Sequence, residues 1–95
     1  MDGRHALAQR EGIACGRAYA DTCAARVYGG QVPTEAEEDA LVRELGEMNA
    51  RARAELAAGG IPPAEITTWS AGVLVGFVGR LREIMAQLRA ANDAR

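Results

Sequence analysis

An apolar stretch from Trp69 to Leu88 limits what this chain can fold into. Read as a helix, it repeats large apolar side chains at alternating spacings of three and four residues, as on the buried side of an amphipathic helix. This bulky stripe consists of Leu74, Phe77, Leu81, Ile84 and Leu88. Gly72, Gly76 and Gly79 follow one another on the opposite side. The sequence therefore predicts a helix with a bulky side that packs inside the chain and a glycine side whose neighbour is unassigned.

Two further helices are predicted, and glycine or proline separates each helix from the next. The first covers about residues 4–28, contains no proline, and ends at Gly29-Gly30, because glycine suits the left-handed backbone of a helix end. The second covers about residues 34–58, because Thr34 and Glu37 fit a capping box. The third covers about residues 63–91, because Pro63 suits a first helical turn. Short connections favour antiparallel neighbours, so we expect one domain over residues 1–95, an all-α, antiparallel up-down-up three-helix bundle.

The alternative for the third segment is a β-strand over residues 67–78. Val73, Val75 and Phe77 alternate there, and each glycine inside a helix costs about 1 kcal/mol relative to alanine. We favour a helix because the spacing of three and four continues without a break to Leu88. No second convincing strand is present to pair with the first.

The charge balance argues against a nucleic-acid-binding domain. The 95 residues contain 11 basic and 13 acidic side chains, for a formal net charge of −2, and every basic residue is arginine. Proteins that hold nucleic acid through their overall charge are usually basic. The alternative function is a small nucleic-acid-binding regulator that uses the arginines of the first and third helices. No short recognition helix after a tight turn is visible to support it.

The residue types that usually carry catalysis are few and scattered. The single histidine, His5, lies in the first turn of the first helix, where no rigid surround would hold a substrate. Cys15 and Cys23 are too far apart on one helix to form a disulfide, and no CxxC motif or Cys/His pair suggests a metal. We therefore predict no enzymatic activity, cofactor or metal. Two cysteines without a secretory leader, and no apolar run of ~20 residues, predict a soluble cytoplasmic protein with no membrane contact.

Composition and the third helix together predict association with another protein. Much of the 48% hydrophobic content is alanine and only 4% of residues are aromatic, so the core would be weak and we expect at least a homodimer. Residues 71–79 are apolar or glycine around the whole circumference of the helix, which two modest helices would not fully cover. The candidate contact residues on this helix are Trp69, Gly72, Val75, Gly76 and Gly79.

The acidic start of the second helix is a second candidate surface. Glu35, Glu38 and Asp39 would meet a basic partner, although acidic residues at a helix start also compensate the helix dipole. The function that we expect is a non-enzymatic protein-protein interaction module, an adaptor or small inhibitor that self-associates or docks on a protein partner through its third helix. Phage-encoded inhibitors, including anti-CRISPR proteins, share this size and mild acidity.

Overall fold

Three α-helices make up the part of the chain that the computed structural model describes, which is residues 3–27 and 33–94. Helix α1 covers Gly3–Val27, α2 covers Glu35–Ala58 and α3 covers Pro63–Asp93. The prediction of an all-helical fold is confirmed, and the third segment is one continuous helix instead of a strand. The predicted start of the first helix and the predicted bounds of the other two differ from the observed ones by at most two residues. The predicted helix end at Gly29-Gly30 lies outside the described residues.

Local sequence explains where α2 and α3 begin. The Thr34 hydroxyl accepts a hydrogen bond from the amide of Glu37 at 3.2 Å, and the Glu37 carboxylate accepts one from the amide of Thr34 at 2.9 Å. These bonds complete the predicted capping box, and they lower the pKa of the Glu37 carboxyl. Pro63 opens α3 at a position where a helix needs no amide donor. Before it, Gly60 has a φ of +85°, which glycine adopts without strain, so the chain can turn back from α2.

Helices α1 and α3 form the most closely packed pair. Their contacts advance together along both helices: Gly12 lies against Trp69, and Arg17 pairs with Glu83 further on. These two helices therefore run in the same direction. Helix α2 packs on α3 less closely, and Asn49 of α2 exchanges hydrogen bonds with Ser70 of α3.

The core where the three helices meet is small. Its buried apolar members are Ala20 and Cys23 from α1, Leu41 and Leu45 from α2, and Val73 and Phe77 from α3. The Tyr19 ring packs beside this cluster, with its centroid 5.8 Å from that of Phe77. Burial, with Cys23 nearby, raises the pKa of Tyr19 to about 12. The molecule is elongated, 51 × 25 × 16 Å, so much of its apolar surface stays near solvent.

Candidate interaction surface

Glycines from α1 and α3 form the contact between these helices. A Cβ atom added at Gly12 or Gly16 would lie within 3.0 Å of the α3 backbone, and one added at Gly72 or Gly76 would lie within 3.0 Å of the α1 backbone. We call these four residues the glycine seam. Backbones can approach this closely only where no side chain separates them, so the seam sets how α3 is rotated against α1.

The position of the glycine seam completes the sequence interpretation of α3. The sequence left the neighbour of the glycine side unassigned, and the structure shows Gly72 and Gly76 buried against α1. The reason is that Gly12 and Gly16 give α1 a bare stripe of its own, which accepts the bare stripe of α3. Gly79 differs from the other two, because a Cβ atom there would meet nothing within 4 Å.

The rotation that seats the glycines on α1 turns part of the bulky stripe outward. Phe77 is buried and Leu81 is half-buried, but Leu74 is 46% exposed, so the prediction that the whole stripe packs inside the chain is wrong at Leu74. Val75 and Val78 are 64% and 42% exposed. With Gly79 and Arg82, these three side chains line an open groove on the outer side of α3. An apolar surface therefore faces solvent where the sequence predicted a buried one.

The remaining predicted contact residues occupy three different surroundings. Val75 lies in the open groove on α3, and Trp69 is half-buried, with its backbone against Gly12. Trp69 lines a separate groove with Leu7 of α1, Leu56 of α2 and Ile61 of the α2–α3 connection, beside charged residues of α1 and α3.

The acidic residues at the start of α2 face solvent to different degrees. Glu35 and Asp39 are exposed, and Glu38 is half-buried. None of these three carboxylates forms an ion pair with a residue that the structure describes. The acidic start of α2 is therefore accessible to solvent.

Exposed ion pairs connect α1 to α3. Arg17 donates to both carboxylate oxygens of Glu83, at 3.2 and 3.1 Å. Arg80 donates to Asp21 at 2.8 Å and to Glu83 at 3.0 Å. The bond to Asp21, and then that to Glu83, raises the pKa of Arg80, while Arg17 and Arg80 lower the pKa of Glu83. A nucleic-acid site on α1 and α3 would use arginines of this kind, and here both guanidinium groups already face carboxylates.

The residues considered for catalysis do not come together into a site. His5 Nδ1 lies 3.2 Å from the Thr68 hydroxyl, Cys15 is half-buried, and Cys23 is a buried thiol in the core. Within residues 3–27 and 33–94, no three His, Cys, Asp or Glu side chains are grouped so that they could hold a metal ion. In that same part of the chain, no helix has the length and apolar character needed to cross a membrane.

Sequence reasoning missed Leu74 and Val78 as surface residues and Gly12 as a packing residue. A signal for them exists in the sequence. Glycines four residues apart occur in both helices, as Gly12 and Gly16 in α1 and as Gly72 and Gly76 in α3. Matching these two pairs places the glycine sides against each other, and the opposite side of α3 then has to face outward.

Comparison of the chain with protein-family models, with curated protein sequences and with solved structures found no match. The geometry of this chain is therefore the basis of the function proposed below.

Proposed function

We propose that this protein is a non-enzymatic protein-protein interaction module, an adaptor or small inhibitor, which self-associates or docks on a larger protein through α3. The observation that carries the proposal is the exposure of Leu74, Val75 and Val78, at 46%, 64% and 42%, on one side of this helix. Single exposed apolar residues are ordinary in soluble proteins. Three on adjacent turns form a continuous apolar surface, and such surfaces mark interaction sites.

The length of uncharged helix around these residues supports the proposal. No charged residue occurs between Glu65 and Arg80, which corresponds to about 21 Å of helix. Helices α1 and α2 cover two sides of this segment and leave the outer side open. Burial of apolar surface there would contribute roughly 25 cal/mol per Å². Aliphatic side chains spaced by three and four residues also fit the way in which an amphipathic helix occupies a groove on a partner.

The proposal extends to helix order, association and compartment. Parallel packing of α1 on α3, with α2 antiparallel to α3, supports an up-down-up bundle. The small core supports a homodimer, because association supplies burial that the chain alone lacks. The free thiols of Cys15 and Cys23 support a reducing compartment such as the cytoplasm. Small size and mild acidity support a phage-type inhibitor, such as an anti-CRISPR protein, as the class to test first.

Affinity capture from the native host tests the proposal with two matched variants. Leu74→Asp places a charge within the exposed apolar row of α3. Ala14→Asp is the control, because Ala14 is an exposed apolar residue of α1 that lines neither the groove on α3 nor the groove beside Trp69. We expect the captured partner, whether a second copy or a different protein, to be lost with Leu74→Asp and retained with Ala14→Asp. Equal capture by both variants, with helix content unchanged, would contradict the proposal.

A further inference from the structure

Exposed uncharged residues of α2 extend the apolar surface of α3 across both helices. On α2 they are Val42, Gly46, Ala50 and Ala54, and on α3 they are Thr67, Ala71, Leu74 and Val78. Ala50, Ala54 and Thr67 line one groove between the two helices, together with the exposed Arg53. Helical spacing places the other residues along the same side, because residues three, four and seven positions apart share a face. We call these eight residues the hairpin face.

We infer that the hairpin face binds a second copy of this chain around a two-fold axis that runs parallel to the helices, between α2 and α3. This inference rests on the proposed function and names its partner. The axis places α3 of each copy over α2 of the other, so that two antiparallel hairpins pack face to face as four helices. A two-fold interface of this kind requires a surface that is complementary to itself.

Side-chain size makes the hairpin face complementary to itself. Its α3 half carries the bulky Leu74 and Val78, whereas its α2 half carries one bulky residue, Val42, and the small Gly46, Ala50 and Ala54. A Cβ atom added at Gly46 would meet nothing within 4 Å, so this position is open space in the single chain. With the axis parallel to the helices, Leu74 of each copy lies over the open space at Gly46 of the other, and Val78 lies beside Val42.

Charges at one end of the hairpin fit the same arrangement. Glu35 and Asp39 precede Val42 on its side of α2, and Arg82 and Arg89 continue the outer side of α3. Because α2 and α3 run in opposite directions, the start of α2 and the end of α3 lie at the same end of the hairpin. The two-fold pairing therefore brings Arg82 of each copy over Asp39 of the other. Both side chains are exposed, and neither pairs with a residue that the structure describes.

The chain exposes more surface than a compact monomer of its mass, and the difference is close to the area that a partner would bury. The chain exposes 6164 Å² of surface. A compact monomer of this mass would expose about 5,200 Å², so the excess is about 900 Å². A stable protein-protein interface buries about 800 Å² on each partner. The excess is thus of the size that one two-fold interface would remove.

A charge-swap experiment in trans tests the inference. Arg82→Glu and Asp39→Arg are made in separate full-length chains, which native mass spectrometry distinguishes by mass. Each variant alone would form a homodimer with two like-charge pairs, whereas the mixed dimer has two opposite-charge pairs. We expect the mixed dimer to exceed the ratio for random pairing by about tenfold, and each variant alone to dimerise more weakly than wild type. Destabilisation of a chain by its own substitution could not produce this preference, because each chain carries the same substitution in its homodimer and in the mixed dimer.

Arg51→Glu is the matched control, because Arg51 is an exposed arginine on another side of α2. Mixed with Asp39→Arg, it should give random pairing. Random pairing in the Arg82→Glu and Asp39→Arg mixture would overturn the inference, as would a wild-type chain that sediments as a monomer at its highest soluble concentration. If host-protein capture still depends on Leu74 in that monomer, the proposed function stands without the second copy. If Leu74→Asp also leaves the capture of host proteins unchanged, the proposed function fails together with the inference.

Discussion

Single glycine-to-alanine substitutions distinguish the glycine seam from other glycines in the same helices. Alanine favours a helix over glycine by about 0.8–1.0 kcal/mol. At Gly79 a Cβ atom meets nothing within 4 Å, so Gly79→Ala should raise the free energy of unfolding by about that amount. At Gly16 the same atom would lie within 3.0 Å of backbone atoms of Val73 and Phe77. Gly16→Ala therefore adds a backbone clash to the same gain in helix propensity.

The clash at Gly16 should outweigh the gain. Helix backbone atoms cannot rotate away as the tip of a side chain can, so α1 and α3 have to move apart along their closest contact. Overpacking of this kind costs about 1–3 kcal/mol. After the propensity gain is subtracted, we expect Gly16→Ala to lower the free energy of unfolding by up to about 2 kcal/mol. The two alanine variants should then differ from each other by the cost of the clash, which is about 1–3 kcal/mol.

Thermal unfolding followed by far-ultraviolet circular dichroism measures this difference. For a domain of this size, 1 kcal/mol changes Tm by about 4–8 °C. Tm should thus rise for Gly79→Ala and fall for Gly16→Ala, at one fixed protein concentration, because association makes Tm depend on concentration. A similar rise in Tm for both variants would refute the close approach of α1 and α3 at the glycine seam.

Three further predictions concern hydrogen bonds and titrating groups. Asn49 and Ser70 exchange hydrogen bonds between α2 and α3, so Asn49→Ala should lower the free energy of unfolding in urea by about 1–3 kcal/mol. Adding Ser70→Ala should lower it little further, and additive losses from the two substitutions would contradict a shared hydrogen bond. The pKa of Glu83 is lowered in the folded protein, so its ion pairs stabilise the fold above the ordinary pKa of 4.5, and this stabilisation is lost as the pH falls through the lowered pKa. Glu83→Gln should therefore lower the urea midpoint of unfolding near neutral pH and leave it unchanged in strong acid. Tyr19 should ionise at a pH near 12 when folded and near 10 in urea. Ultraviolet absorbance measures this ionisation in a Tyr28→Phe variant, where Tyr19 is the single tyrosine, and a folded midpoint near 10 would contradict the burial of Tyr19.

Much of the fold could be predicted because helix boundaries are encoded locally. Thr34 with Glu37 marked the start of α2, and Pro63 marked the start of α3, since caps and prolines act on the residues beside them. The amphipathic spacing also identified Phe77 as a core residue. These signals each depend on neighbours within one or two turns of the same helix.

The rotation of α3 could not be predicted from α3 alone. Its apolar residues surround the helix between Ile66 and Gly79, so periodicity does not say which side is covered. The partner decides this: Gly12 and Gly16 in α1 accept Gly72 and Gly76, and the close backbone contact outweighs the burial of Leu74. Asn49 was missed for a related reason, because a polar residue is buried only where a partner such as Ser70 satisfies it.

Contacts between methyl groups of two copies test the central claim most directly, namely that the hairpin face is buried by association. An isotope-filtered nuclear Overhauser experiment on a mixture of labelled and unlabelled chains reports only contacts between copies. We predict signals from the methyl groups of Val42 in one copy to those of Leu74 and Val78 in the other. Signals confined to Leu7 on α1, or none at concentrations where the chain sediments as a dimer, would contradict the account.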